Sequence, residues 1–116
     1  MKHIRASQKK WVSGKGYSKR VLLGREDIGL KVDLVQEVSF RKGDRVPLHH
    51  HDRQTEIFYA RDKAPFRING KDVVLEPGDM LFCEPGDVHG NPVIDEDFKI
   101  LVLKVDYAED DIFWDE

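Results

Sequence analysis

Polar and apolar residues alternate with a period of two from Val32 to Phe40, placing Leu34, Gln36, Val38 and Phe40 on one face. Asp33, Val35, Glu37 and Ser39 fall on the other, so the stretch predicts a half-buried strand with one polar residue, Gln36, turned inward. Turn chemistry cuts the remaining apolar runs short. Asn69-Gly70, between Phe66-Arg67-Ile68 and Val73-Val74-Leu75, predicts a hairpin because both residues tolerate the positive φ of a type I′ turn. Glu-Pro-Gly-Asp occurs at 76–79 and again at 84–87, where Pro presets one turn position and Gly supplies positive φ at the next. Between these turns Met80–Cys83 has room only for a short strand. Further strands are predicted around Lys19–Leu23, Leu48–His51, Glu56–Ala60 and Phe98–Val105. No helical stripe appears, and at most one helical turn is expected, near the C-terminus. The predicted class is all-β, a sandwich or barrel of short antiparallel strands.

Composition agrees with that class. Val and Ile number 19 against 4 Ala, which favours pleated over helical backbone. At 116 residues the chain predicts a single domain over 1–116, with its core at about 20–106. No apolar run approaches the ~20 residues that span a bilayer, and Met1–Lys10 lacks a hydrophobic signal core, so a cytoplasmic protein without membrane partners is expected. A lone Cys83 excludes an internal disulfide and a multi-thiolate zinc site.

Charge is unevenly spread. Residues 1–20 hold seven basic side chains (Lys2, Arg5, Lys9, Lys10, Lys15, Lys19, Arg20) and no acid, while 106–116 hold six acids and no base. A nucleic-acid arm is the weaker reading, since net charge is −3; pairing of the two ends, within the fold or across a homodimer, is preferred. Trp11, Phe113 and Trp114 are then packing residues, expected at a subunit contact together with Ile112.

The chemistry lies in two stretches. On a strand, His49 and His51 share a face and His50 points away. Glu56, after a four-residue connection, can turn its carboxylate to the same point, and His89 joins them if the fold brings 78–89 alongside. Three neutral imidazoles and a carboxylate suit one divalent transition metal, leaving octahedral positions open for a ligand. Mn, Fe or Ni fits this set better than Zn, which more often settles for fewer protein ligands. Strand parity also makes Gln36, Phe40 and Phe58 candidate pocket-lining residues. His3 is read as a terminal side chain and Cys83 as a small buried hydrophobe.

Gly43-x5-His49-x-His51-x4-Glu56 and Gly78-x5-Glu84-Pro85-Gly86-x2-His89 resemble the two motifs of the cupins, in the same order. The resemblance implies a jelly-roll barrel with a six- to eight-stranded core, often dimeric, in which His49, His51, Glu56 and His89 hold a metal near the barrel mouth. Lys63 replaces a motif glycine, Pro85 is shifted by one position, and Asn91 stands near the frame of the usual asparagine, held here by Val93. These departures touch turns and rim rather than the ligand set. Three functions fit: a metal-dependent enzyme of dioxygenase, isomerase or decarboxylase type acting on a small polar or anionic metabolite; a non-catalytic small-molecule-binding or metal-stabilised module; and a metal-independent sugar isomerase or epimerase. The third is disfavoured because acid–base work does not need four residues at ligand spacing. No catalytic acid or base is fixed by spacing.

Overall fold

The computed structural model describes residues 6–28 and 31–116; Lys2, His3 and Arg5 lie outside them. A 3-10 turn at Ala6–Gln8 leads into β1 (Val12–Ser13) and β2 (Ser18–Leu23), followed by one helical turn, α1 (Arg25–Ile28). Then come β3 (Val32–Phe40), β4 (Val46–His50), β5 (Thr55–Ala60), β6 (Ala64–Ile68), β7 (Lys71–Leu75), β8 (Met80–Cys83), β9 (His89–Asn91), β10 (Phe98–Val105) and β11 (Phe113–Trp114). Two sheets result, one ordered β1-β2-β3-β10-β5-β8 and the other β11-β4-β9-β6-β7, with every described pairing antiparallel. This is the jelly-roll arrangement of an all-β chain.

The turn residues act as their chemistry requires. Asn69 and Gly70 both take positive φ (48° and 80°) in the β6–β7 hairpin. Each Glu-Pro-Gly-Asp segment closes on itself: Gly78 and Gly86 have φ of 92° and 89°, and the carboxylates of Asp79 and Asp87 accept from the N–H of Glu76 and Glu84. β3 buries the face that alternation predicted, Leu34, Gln36, Val38 and Phe40. The same parity on β10 turns Phe98, Ile100, Val102 and Lys104 inward. Phe40 and Phe98 stack at 4.6 Å across the β3–β10 pair within the larger sheet, while Phe58 on β5 meets Phe66 on β6 at 5.2 Å and joins the two sheets.

One expectation is corrected. Among the described residues the helical turns lie at Ala6–Gln8 (3-10) and Arg25–Ile28 (α), not near the C-terminus, where the chain instead adds β11 beside β4. Among the described residues the acidic tail pairs with the middle of its own chain: Glu116 with Arg45 at 2.7 Å, Asp110 with Arg53 at 3.1 Å and Asp115 with His50 at 2.8 Å. Among the described N-terminal cations, Arg20 pairs with Glu37, and Lys15 lies over the Trp114 ring at 4.9 Å. The aromatic residues are also largely engaged within the chain. Trp11 has Arg20 and Lys99 over its ring, Phe113 stacks on His50, and Trp114 covers His49, although each remains partly exposed.

Candidate metal centre

Backbone register assembles the site. β9 lies beside β4 with His89 opposite His49, and the approach is close: a Cβ on Gly90 would stand 2.6 Å from the Val46 carbonyl oxygen. Only glycine therefore permits this seam, which brings the second sequence stretch against the first. In the other sheet, Glu56 starts the inward face of β5, opposite Cys83 on β8 and Lys104 on β10. His49, His51, Glu56 and His89 are all buried.

All three histidines are oriented by backbone carbonyls. Nδ1 of His49 lies 2.8 Å from the Pro47 oxygen, Nδ1 of His51 lies 2.5 Å from the Asp111 oxygen, and Nδ1 of His89 lies 2.8 Å from the Asp87 oxygen. A carbonyl only accepts, so each ring directs an N–H outward and presents Nε2 to the interior. The three histidines can offer nitrogens within 4.8 Å of one another. Among the described residues, Nε2 of His51 and of His89 are buried without a hydrogen-bond partner, even though Glu56 Oε1 stands 2.7 and 3.3 Å away. Buried ring nitrogens without aligned partners, facing a carboxylate, fit a divalent cation.

The loop between His51 and Glu56 is tied from outside. The buried carboxylate of Asp111 accepts from the backbone N–H of Asp52, Arg53 and Gln54 at 2.9, 3.0 and 2.9 Å, while its own carbonyl takes His51 Nδ1. His50 points away, as parity predicted, with Nδ1 2.8 Å from Asp115.

Electrostatics divide the cluster. Burial, with His89 and His51 adding to it, lowers His49 to about 4, so this ring is neutral near pH 7. Burial also works against a charged His89, but Cys83 and Glu56 outweigh it and push the ring up to about 10. Burial would raise Glu56; contacts with His51 and His89 overcome this and hold its carboxyl well below the usual range. Glu56 and the facing imidazoles thus favour each other's charged forms, and a divalent cation would compete with protons for the same ring nitrogens. Burial lowers Lys104, with Glu56 opposing.

A cavity of about 80 Å³ opens at the cluster. Gln36, Phe40 and Phe58 line it, and so do Tyr17, Lys19, Asn91, Lys104, Ile112 and Trp114. Its wall is the hydrophobic core itself, since Phe40, Phe58, Ile100 and Val102 belong to both. The clustered His49, His51, Glu56 and His89 therefore open directly onto the core. Cys83, the expected small buried hydrophobe, is 2% exposed but touches the cluster, with Sγ 3.3 Å from His89 Nδ1.

Sheets closed around an interior histidine cluster define a jelly-roll barrel with a candidate metal centre. A family model described as the cupin domain matches residues 36–104, and the chain belongs to the cupin family. An oxalate-binding protein of Thermotoga maritima is 35% identical over 69 residues, which are 59% of this chain and 57% of that protein. The match thus spans little more than half of the curated relative. A crystal structure from Thermotoga maritima, described as a predicted oxalate decarboxylase, superposes with TM-score 0.75 at 26% identity, covering 90% of this chain and 98% of the other. KdgF from Halomonas sp. superposes with TM-score 0.76 at 18% identity, over 94% and 98%, which speaks to fold alone.

Proposed function

We propose that His49, His51, Glu56 and His89 hold one divalent transition metal and that the cavity beside it binds a small polar or anionic metabolite. The observation that carries this reading is the shared orientation of the three imidazoles, each committed to a carbonyl at Nδ1 and free to present Nε2 inward. Mn, Fe or Ni suits a nitrogen-rich set with open positions better than Zn. Such a metal would supply Lewis acidity toward an oxygen of the bound ligand. Phe40, Phe58 and Trp114 exclude water around it, and Gln36 offers an amide for orientation. The Thermotoga relative's name supports a small carboxylate as the ligand class.

Elemental analysis of protein purified without a His-tag or nickel column tests the metal. About one equivalent per chain is expected, falling to background in the His49→Ala/His89→Ala variant with the barrel still folded by circular dichroism. Equal metal in both proteins would remove the assignment.

We further propose a homodimer, on different grounds from the termini. Leu23, Val35, Leu103, Ile57 and Phe82 are successive cross-strand neighbours on the outer face of the larger sheet, and Met80 and Phe82 are about 60% exposed. Light scattering should give twice the chain mass and Phe82→Asp should halve it; a monomeric wild type would end this claim.

A further inference from the structure

Lys104 is a buried cation in the cavity that the ligand cluster does not use. The alternation of β10 carries it inward after Phe98, Ile100 and Val102, and it is 8% exposed. A lysine near a strand end ordinarily extends its stem along apolar surface and leaves its ammonium in water. Here the side chain lines the cavity, and among the described residues the ammonium has no ion pair or hydrogen bond, only the Tyr107 ring at 4.8 Å. Glu56 faces it across the β5–β10 pair and is the nearest source of compensating charge in register.

That compensation is spent once Glu56 serves a cation. A divalent metal brings two positive charges, Glu56 removes one and Lys104 restores one, while the imidazoles that bind metal are neutral. The cavity interior then holds an excess of two positive charges against walls of Phe40, Phe58 and Val102, and half-buried Lys19, which also lines it, adds to that excess. Charge buried in apolar surroundings requires a partner. Gln36, 4% exposed on the adjacent strand, has an amide among the same lining groups, and its side chain is not hydrogen-bonded to any described residue.

We propose that Lys104, with Gln36 beside it, anchors the second anionic group of a small dianionic ligand, a short dicarboxylate, whose first group binds at the metal. This inference rests on the metal reading above and specifies the charge and polarity of its ligand. Lys104 is then a specificity-determining residue, distinguishing dianions from monoanions.

The test uses Mn-reconstituted wild type, Lys104→Met and Lys104→Arg, with metal content measured first and calorimetric titration of oxalate, malonate, succinate and acetate second. All three proteins should hold about one metal per chain. At least one dicarboxylate should bind the wild type, lose about tenfold or more in affinity in Lys104→Met, and stay within a few-fold in Lys104→Arg. Acetate should change much less, because it lacks the second group. Lys104→Gln replaces Lys104→Met in the same comparison if the latter fails to fold. Full metal with equal dicarboxylate affinity in wild type and Lys104→Met would overturn the role of Lys104 alone, as would a metal-loaded wild type that binds none of the three. A wild type that takes no metal would bring down the metal reading and this inference together.

Discussion

His49 and His89 are oriented from within their own motifs, whereas His51 is oriented from the far end of the chain. The first two direct Nδ1 at carbonyls only two residues earlier, Pro47 and Asp87; His51 relies on Asp111, sixty residues later. The local half needs little besides strand register and the Gly90 seam. The remote half depends on a tail that adds a two-residue strand, ties three N–H groups of the 52–54 loop and lays Trp114 over His49. One cluster is thus built from two kinds of support, and they should fail differently.

Breaking the local half should have the largest effect. A Cβ at Gly90 would meet the carbonyl oxygens of Val46 and Pro47 at 2.6 and 3.0 Å, so Gly90→Ala must part β9 from β4. We expect loss of most bound metal and a clearly lower thermal midpoint, read by elemental analysis and calorimetry; a variant with wild-type metal would show that the seam does not set the site. Asp111→Ala should be milder. Its ligands remain but one is no longer supported through a tied loop, and loss of such an outer partner typically costs about 10–100-fold in metal affinity. Competition against a chelator measures it, and an unchanged affinity would show that the tail is only a cover.

Acid should separate the halves next. Burial opposes ionisation of Asp111, but its three backbone N–H donors hold the carboxyl below the usual range; the Leu48 N–H and Arg45 do the same for Glu116. Groups with depressed pKa stabilise the fold above their unfolded pKa, about 4, and lose that contribution as pH falls through the folded value. His50 has the opposite sign: its hydrogen bond to Asp115 raises it, so its contribution is present below about 6.5 and lost as pH rises through the folded value. Hydrogen exchange should therefore show the 111–116 amides loosening below about pH 4 while β3 and β10 remain protected. Uniform protection across that range would contradict the tail's dependence on its carboxylates. The smallest effect is expected from His50→Ala, which should leave metal content unchanged because the ring faces Asp115 and Phe113 rather than the cluster. Lost metal in that variant would overturn the parity argument.

The same division governs what could be read from the chain. β3, β8 and β10 are legible to the residue, because alternation, paired Pro-Gly turns and apolar runs mark their ends. β9 is not, since His89-Gly90-Asn91 carries no apolar pattern and exists only through pairing with β4 and β6. β1 and β11 are two residues long and equally silent. The four clustered residues are legible from spacing, as their chemistry lies in the motifs. Asp111 is hidden in a run of acids because its partners are backbone N–H groups 57 to 59 residues away. Lys104 is masked differently. Ile100-Leu101-Val102-Leu103 is apolar on both faces, so period two gives no hint of which side Lys104 takes until β3 and β5 flank the strand.

Everything proposed for the site depends on three inward Nε2 atoms and Glu56 converging on one metal. Anomalous-difference crystallography of the tag-free, Mn-reconstituted protein tests it most directly. One peak per chain is expected, about 2.0–2.3 Å from Nε2 of His49, His51 and His89 and from a Glu56 oxygen. A peak at the surface pair His50 and Asp115, or none inside the barrel, would contradict it.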